Sequence, residues 1–376
     1  MHILQIGNDV VHARGGTPLA IRDAQRALGG EIVSFTDPDL LPGAADGVLH
    51  VPHSSSWVGR RYGWSSAAGS AAADACFERC DVVLVHGLFR HHYGWAIGKA
   101  RAHGKPYLVV PHGALDPYAF SYARLPKELW WQAVGRPGLR RAASVVFATA
   151  RERDKAAARV TGVRSRVVHW PIEPHRDPPA GARERMRAAL GIDAGHRALL
   201  FLGRLDAFKR VPELIDAFNR SAASNLHLIV AGPDGPSLTR ADAGRRVAAP
   251  LRNRVHLLGA VYGEEKAAVL AAADGCVSIS ARENFGYALC ECLAAGLPGL
   301  VGPGADLAPE FADADCGWLL ARDDAAAVAD AMTRFAGAPP EQLSAMGARG
   351  RDWVRRHLGL EAFRQALGAT CAEAAQ

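Results

Sequence analysis

The stretch from Gly275 to Val301, GCVSISARENFGYALCECLAAGLPGLV, holds one complete strand–helix–strand unit. Its first run, Gly275–Ile279, is short and apolar without strict alternation, which is typical of a strand buried on both faces. A polar turn follows, and then an apolar helical stretch that Gly296 and Pro298 end. The run Gly299–Val301 completes the unit. This stretch therefore predicts a parallel sheet with right-handed crossover helices.

The same alternation extends along nearly the whole chain. The predicted strands of the first half are His2–Ile6, Gly30–Ser34, Val82–Val85, Tyr107–Val110, Ser144–Ala148 and Arg166–His169. Those of the second half are Ala198–Leu202, His227–Ala231, Arg254–Leu258, Gly275–Ile279, Gly299–Val301 and Gly317–Leu319. Helical patterns lie between them, among others at Pro212–Asn219, Glu264–Ala273 and Tyr287–Ala295. The pattern predicts an α/β protein built from two doubly wound units.

The length of 376 residues also favours two domains, because single hydrophobic cores stop growing at about 250–300 residues. Four prolines in residues 171–179 cannot continue a helix or a central strand. We therefore predict a first domain at 1–172, a linker at 173–190 and a second domain at 191–355. A helix is expected at 356–376, and the sequence leaves open whether it crosses back to the first domain.

Composition and charge narrow the function classes. No run of eighteen apolar residues or signal peptide is apparent, and the seven cysteines include no paired CxxC arrangement, so we expect reduced thiols in a cytoplasmic protein. Residues 1–172 carry 21 Lys and Arg against 13 Asp and Glu, whereas residues 173–376 carry 23 against 25. A basic first half fits an anionic partner such as a membrane surface or a lipid pyrophosphate, and fits a merely soluble surface equally well. Nucleic acid is disfavoured, since the charge is diffuse and no reading motif appears.

The turn Glu283-Asn284-Phe285-Gly286 is the strongest candidate site. A helix that begins after a strand points free N–H groups above the sheet, which suits a diphosphate. Glu291 lies inside this helix between apolar neighbours, and a buried carboxylate needs a partner such as a ribose diol. The alternative is that Glu283 only begins the helix and Glu291 is solvated.

Two cations, Arg204 and Lys209, follow another predicted strand and precede a helix that Pro212 opens. Both could neutralise a departing diphosphate, a charge that otherwise requires a metal, so we expect no metal or other cofactor. The alternative is that they are surface cations of a loop. Asp37-Pro38-Asp39 imitates a metal-binding DxD motif, but Pro38 favours a simple turn.

The first half offers weaker candidates. Gly15 and Gly16 precede a helix and would allow close approach of backbone to a ligand. His112 and His86 each follow a predicted strand, where ligands of open α/β sheets bind, although a single histidine is more often structural. The run Phe89-Arg90-His91-His92-Tyr93 is expected to be an exposed loop on the acceptor side, and Asp116 lies just after His112.

Taken together, these segments resemble family 4 of the retaining glycosyltransferases, which have the GT-B architecture of two facing Rossmann-like domains. The resemblance spans nearly the whole chain, and Pro111-His112-Gly113-Ala114-Leu115-Asp116-Pro117 looks like members that build bacterial surface polysaccharide and lipopolysaccharide. It implies that His112, Glu283, Arg204 and Lys209 are catalytic. The donor would be bound by Gly15, Gly16, Arg204, Lys209, Val261, Tyr262, Glu283, Asn284, Phe285, Gly286 and Glu291. The acceptor side would include His86, Arg90 and Asp116.

The resemblance further implies that a hexose moves from a GDP-mannose-like or UDP-hexose donor to a glycan or lipid-linked acceptor, with retention of configuration. A sugar-nucleotide 2-epimerase and a non-catalytic nucleotide-sugar-binding or membrane-adaptor protein are the alternatives. Peripheral contact with the inner face of an anionic membrane could involve Arg124, Lys127, Trp130, Trp131, Arg136, Arg140 and Arg141, or the tryptophans could be core and the arginines solvated. Two departures from the family pattern are Gly299, where valine is usual, and Trp170-Pro171-Ile172 in place of an asparagine-glycine.

Overall fold

The structure is a computed structural model that describes residues 1–8, 10, 15–36, 47–65, 70–121, 123–175 and 177–376. Asp37-Pro38-Asp39 therefore lies outside the described residues. The chain divides into two compact units. The first contains Met1–Pro171 and Leu360–Gln376, and the second contains Ile172–Gly359.

A parallel sheet of seven strands forms the centre of the described part of the first unit. Its strands are β1 Ile3–Asn8, β2 Glu31–Thr36, β3 Val48–Pro52, β4 Val82–His86, β5 Tyr107–Val110, β6 Ser144–Phe147 and β7 Ser165–Val167. The spatial order is β3-β2-β1-β4-β5-β6-β7. The strand order reverses between β1 and β4, so a crevice opens above these two strands at their carboxyl ends.

Helices cover this sheet, and an apolar core forms against them. They are α1 Gly16–Leu28, α2 Trp57–Tyr62, α3 Ser70–Arg79, α4 His91–Ala102, α5 Pro117–Ser121, α6 Arg124–Trp130, α7 Arg136–Arg140 and α8 Ala150–Ala156. A π-helical segment, Trp131–Gly135, joins α6 to α7. Trp131 is buried in the core and Trp130 packs against it, so the tryptophans of this stretch are largely structural.

The second unit contains a parallel sheet of six strands among its described residues. The strands are β8 Arg197–Leu202, β9 Leu226–Ala231, β10 Val255–Gly259, β11 Gly275–Ser278, β12 Gly299–Val301 and β13 Gly317–Leu319, in the order β10-β9-β8-β11-β12-β13. The helices are α9 Ala182–Ala189, α10 Val211–Arg220, α11 Arg240–Arg246, α12 Gly263–Ala272, α13 Tyr287–Ala294, α14 Ala308–Asp313, α15 Ala325–Gly337 and α16 Pro340–His357. The reversal here lies between β8 and β11.

The division into units differs from the predicted one at residues 173–190, and it assigns the C-terminal helix, whose placement the sequence left open. Helix α9 lies within residues 173–190 and belongs to the second unit, where Arg187 on α9 contacts Asp274 at 3.1 Å. The C-terminal helix α17, Leu360–Ala375, belongs to the first unit. Its Phe363 ring lies 5.2 Å from the Trp170 ring, and Glu373 pairs with Arg166 at 2.9 Å.

All seven cysteines are free and buried, so none forms a disulfide. Within the ranges that the structure describes, no helix combines the length and the apolar character needed to cross a bilayer.

Candidate active site

The carboxyl ends of β8 and β11 bring the predicted residues of the second unit together. The two strands are hydrogen-bonded neighbours at the point where the strand order reverses. Arg204 and Lys209 follow β8, and Glu283 follows β11, so all three lie at one edge of the sheet. This is the crevice in which open α/β sheets bind ligands.

Lys209 and Glu283 form an ion pair between Nζ and Oε2, and both side chains are mostly buried. Two backbone contacts position them. The Ala281 N–H donates to the Phe208 carbonyl at 2.8 Å, which ties the loop after β11 to the loop after β8. The Glu283 N–H donates to the Gly304 carbonyl at 2.9 Å, which fixes the carboxylate above the sheet. A cation and a carboxylate are therefore held side by side where a charged ligand would enter.

Arg204 lies on the loop after β8, as Lys209 does, and is oriented by Asp206, whose carboxylate accepts from Nε at 2.6 Å. This salt bridge uses Nε, and the two terminal nitrogens have the fork geometry that binds phosphate oxygens. The turn that carries Arg204 requires glycine nearby. A Cβ at Gly232 would lie 1.8 Å from the Gly203 carbonyl oxygen, so the loops after β8 and β9 can approach this closely only because residue 232 is a glycine.

The start of helix α13 completes this group. Gly286 precedes the helix with φ +79°, a left-handed conformation that favours glycine. Phe285 is buried against the Tyr287 ring at 5.1 Å. The Asn284 Oδ1 atom is buried and has no hydrogen-bond partner among the described residues. A carbonyl oxygen of this kind can accept from a sugar hydroxyl.

We expected Glu291 to be a buried carboxylate without a partner in the protein, and the structure differs on both points. Its side chain is 30% exposed and pairs with Lys266 of α12 at 2.7 Å. Lys266 lies in the first turn of α12, where its N–H donates to the Tyr262 carbonyl at 3.2 Å. Val261 is buried, whereas Tyr262 is 62% exposed and precedes α12. Sequence reasoning missed Lys266, since no local pattern links it to Glu291.

A second group of side chains occupies the corresponding crevice of the first unit. His86 ends β4 and is buried, and its Nδ1 lies 2.9 Å from Nε2 of His112. The His86 and His112 rings stack with their centres 5.2 Å apart. The Trp170 ring also stacks on His112, at 5.4 Å. Burial lowers the pKa of His112 to about 3 and lowers the pKa of His86 well below its usual range, so both rings are neutral near pH 7.

The hydrogen-bond network around Gln5 of β1 assigns which nitrogen of this histidine pair carries the proton. With its amide nitrogen toward the Ile21 carbonyl (3.2 Å) and His86 Nε2 (3.1 Å), its oxygen accepts from the Gln25 N–H at 3.0 Å. His86 Nε2 then accepts, so His86 Nδ1–H donates to His112 Nε2. His112 consequently carries its own proton on Nδ1 and can act as a neutral donor toward a ligand.

Two family models match the chain and together span most of it. "Glycosyltransferase Family 4" matches residues 7–176, and "Glycosyl transferases group 1" matches residues 182–353. These matches cover both crevices, including the loops that carry His112, Lys209 and Glu283.

The chain belongs to glycosyltransferase family 4. Among curated relatives, a GDP-mannose:cellobiosyl-diphosphopolyprenol α-mannosyltransferase of Xanthomonas campestris is 27% identical over 308 residues, which cover 80% of this chain and 76% of the relative. A D-inositol 3-phosphate glycosyltransferase of Streptomyces avermitilis is 28% identical over 304 residues, covering 77% of this chain and 64% of the relative.

Solved structures show the same fold. Anabaena HepE in complex with UDP and glucose superposes with a TM-score of 0.75 at 17% identity and covers 99% of each chain. Sucrose-phosphate synthase from Thermosynechococcus elongatus superposes with a TM-score of 0.72 at 20% identity and covers 98% of each chain. Together with the two parallel sheets, these likenesses establish the GT-B fold predicted from the sequence.

In this glycosyltransferase, the loop that carries His112 depends on a residue that sequence reasoning missed. Glu152 is only 3% exposed, and its carboxylate accepts from the Gly113 N–H at 2.6 Å and the Ala148 N–H at 2.7 Å. His112 and Gly113 both have left-handed backbones, with φ of +52° and +76°. A non-glycine residue there is uncommon and needs external support. Thr149 and Glu152 have the spacing of a helix cap, which predicts the start of α8 but not the contact of Glu152 with Gly113.

The remaining predicted residues of this glycosyltransferase lie at the start of a helix or are held by other contacts. Gly15 precedes α1 with φ +107°, and both it and Gly16 are exposed at the helix start. Asp116 accepts from the Tyr118 N–H at 2.8 Å and pairs with Lys155 at 3.3 Å.

The expectation of an exposed loop at residues 89–93 was wrong. Helix α4 begins at His91, and Arg90 precedes it and donates to the Arg61 carbonyl at 3.1 Å. His92 is buried and its Nε2 bonds to the His86 carbonyl oxygen at 2.8 Å. The Phe35 ring of β2 lies 5.9 Å from the His91 ring and 6.2 Å from the His92 ring, so this turn packs against the sheet although its composition is polar.

Proposed function

We propose that this glycosyltransferase moves a hexose from a nucleoside diphosphate sugar to a glycan or lipid-linked acceptor in the synthesis of a bacterial surface polysaccharide. The observation that carries this proposal is the group of Arg204, Lys209 and Glu283 at the reversal between β8 and β11. Two cations and a carboxylate in a sheet crevice match the charge of a diphosphate and the hydroxyls of a sugar.

The ion pair between Lys209 and Glu283 explains how the donor would be recognised. Within the chain, the carboxylate neutralises the ammonium group. When the donor enters, Lys209 would exchange Glu283 for a phosphate oxygen, and Glu283 would accept from a sugar hydroxyl. Each charge then has a new partner, so neither is left unpaired in a mostly buried place.

As the bond to the sugar breaks, negative charge grows on the leaving diphosphate. Arg204 and Lys209 would stabilise that charge, as would the free N–H groups at the start of α13. We propose that these groups do the work that a metal does elsewhere. His112 would donate Nδ1–H to a sugar hydroxyl and position the sugar, without acting as a base. Departure and attack on one face would retain the anomeric configuration.

GDP-mannose is the donor we favour, because the Xanthomonas campestris relative is named for GDP-mannose and a diphosphopolyprenol acceptor. We propose a cytoplasmic location at the inner face of the membrane, where such an acceptor would be available. The arginines of α7 and its flank would contact anionic lipid. Vesicle sedimentation tests this contact: replacing Arg136, Arg140 and Arg141 by Glu should abolish binding to anionic vesicles, and undiminished binding would contradict it.

Release of nucleoside diphosphate tests the transfer itself. The wild-type chain is incubated with GDP-mannose or UDP-glucose and polyprenyl-diphosphate-linked disaccharides, and proton NMR gives the configuration of the product. Lys209→Ala should lower kcat/KM by about 10²–10³-fold, whereas Arg252→Ala, an exposed cation of the same unit, should leave it unchanged. If nucleoside diphosphate is released but no sugar is joined to the acceptor, or if epimerised sugar nucleotide forms, the result would instead support a sugar-nucleotide 2-epimerase.

A further inference from the structure

A cavity of about 650 Å³ lies in the first unit, between α5, α6, α7 and the end of α8. Five cationic side chains and one carboxylate line it: Arg124, Arg136, Arg140, Lys155, Arg159 and Glu128. Phe120 and Trp131 form its apolar floor. The lining therefore carries a strong excess of positive charge over a buried aromatic surface.

Some of these cations are already committed to protein partners. Arg159 lies 3.3 Å from the centre of the Phe120 ring and pairs with Glu128 at 3.2 Å. Lys155 pairs with Asp116 at 3.3 Å. They hold the walls of the cavity together and attach it to the loop that follows His112.

The other arginines have no such commitment. Arg124, Arg136 and Arg140 form no ion pair with any carboxylate that the structure describes, and all three are exposed at the cavity. Arg136 contacts only the Gln132 amide oxygen among these side chains, at 3.3 Å. Three guanidinium groups are thus available to an anion, with the fork geometry that binds phosphate oxygens.

The π-helical segment Trp131–Gly135 is what places these arginines on one side. Arg124 and Arg136 are twelve positions apart, which in a regular α-helix separates them by roughly 120° around the axis. One π-helical turn removes about 90–100° of that rotation, because it holds an additional residue. The two arginines therefore point in nearly the same direction, and Arg140 follows one turn later. Such distortions frequently occur at functional sites.

An apolar rim adjoins the cationic wall. Leu125 and Leu129 lie one turn apart on α6 and are 70% and 63% exposed. Tyr118 on α5 is 41% exposed. Large apolar side chains that are exposed together usually meet an apolar ligand or a membrane.

We propose that this cavity binds the diphosphate group of an isoprenoid-linked acceptor, with its lipid chain along Leu125 and Leu129. Charge complementarity favours an anion with several oxygens, and the leucines favour one that carries a hydrocarbon chain. The proposal rests on the proposed function, since it specifies the acceptor of the transfer. The cavity lies beside the His112 loop, so the diphosphate would anchor an acceptor whose sugar extends toward that loop.

Calorimetric titration with inorganic pyrophosphate and with farnesyl diphosphate tests the cavity. Both titrations use the full chain with Lys209→Ala, so that the crevice of the second unit contributes little. Farnesyl diphosphate should bind more tightly than pyrophosphate. Replacing Arg136 and Arg140 by Ala should weaken both ligands at least tenfold, because each removes a charge-assisted contact.

Two further variants separate the effect of the arginine charge from the effect of contacts with the lipid chain. Replacing Leu125 and Leu129 by Ser should weaken farnesyl diphosphate at least fivefold and leave pyrophosphate unchanged. Replacing the exposed Arg101 and Arg164 by Ala removes the same charge elsewhere in the unit and should change neither affinity. Thermal melting checks that each variant is folded.

Unchanged binding after Arg136 and Arg140 are replaced would overturn the site. Equal affinity for the two ligands, together with no effect of the leucine changes, would show a site for free phosphate and overturn the lipid-linked ligand. These outcomes differ from failure of the proposed function. In that case no donor releases nucleoside diphosphate, while farnesyl diphosphate still binds and still depends on the arginines.

Discussion

Replacing Glu152 by glutamine tests how the loop with His112 is held. The carboxylate accepts from the backbone N–H groups of Gly113 and Ala148 at 2.6 and 2.7 Å, and the side chain is 3% exposed. Glutamine has nearly the same size, but it offers one acceptor oxygen and one NH₂ group. One of the two N–H groups therefore loses its acceptor and faces another donor.

The magnitude follows from these contacts. A hydrogen bond to a charged group contributes about 1.5–3 kcal/mol, and an unsatisfied buried N–H costs about 1–3 kcal/mol. We expect Glu152→Gln to destabilise the first unit by about 3 kcal/mol, which lowers its melting temperature by roughly 6–12 °C. The donor crevice of the second unit should be unaffected, so the affinity for nucleoside diphosphate should stay the same.

Differential scanning calorimetry measures the melting of the unit, and transfer assays measure the effect on His112. The rate of transfer should fall, because the left-handed backbone at His112 and Gly113 loses its support. Glu78→Gln, which changes an exposed carboxylate of the same unit, is the matched control. Its melting temperature should lie within about 1–2 °C of the wild type, because surface substitutions change stability little. A melting temperature of Glu152→Gln equal to that of the control would refute this reasoning.

Three further predictions concern the two crevices and the buried histidines. Lys266→Ala should raise the KM for the donor about 2–5-fold without changing kcat, because its partly exposed ion pair only orients Glu291; a fall in kcat alone would contradict this. Gln5→Leu should mix the tautomers of His112, so long-range ¹H–¹⁵N NMR should no longer show Nδ1–H alone, and an unchanged spectrum would contradict the claim that Gln5 sets the tautomer. Burial lowers the pKa of His92 to about 4, so this ring stays neutral in the folded chain while it is protonated after unfolding below pH 6.5. Its contribution to the free energy of unfolding is complete above pH 6.5 and is lost as the pH falls toward 4, and the loss reaches about 2 kcal/mol at pH 5. Urea denaturation at pH 7.5 and pH 5 should show this loss of stability, and the loss should be smaller in His92→Gln.

Much of the fold could be predicted from the sequence because buried parallel strands are short, apolar and bounded by glycine or polar turns. Every strand predicted from such a run is present, with ends within two residues of the expected ones. The strand Val48–Pro52 was missed. It lies at the edge of its sheet beside β2, contains His50, and is only partly buried, so its pattern is weak.

The candidate site could be predicted only in part. Local motifs placed Arg204, Lys209 and Glu283 at strand ends, and the reversal of strand order explains why they meet. The partners Lys266 and Glu152 could not be found in this way, because their contacts join segments 25 and 39 residues apart in the chain. Register and helix rotation decide such contacts, and no short pattern encodes either.

Trp170 illustrates a related difficulty. Its stretch, Trp170-Pro171-Ile172, departs from the family pattern, and no local motif links it to His112. In the structure, its ring stacks on His112 at 5.4 Å and on Phe363 of the C-terminal helix at 5.2 Å. The departure therefore changes the surroundings of the histidine as well as the chain between the units.

Binding of nucleoside diphosphate tests the central claim most directly, namely that Arg204 and Lys209 receive the diphosphate of the donor. Isothermal titration calorimetry with GDP and UDP, without acceptor and without added metal, measures it in the wild-type chain and in Lys209→Ala. The account predicts that at least one of the two binds, and that Lys209→Ala weakens it at least tenfold, the equivalent of about 1.4 kcal/mol. Equal affinity in the two chains, or no binding of either nucleotide to the wild type, would contradict it.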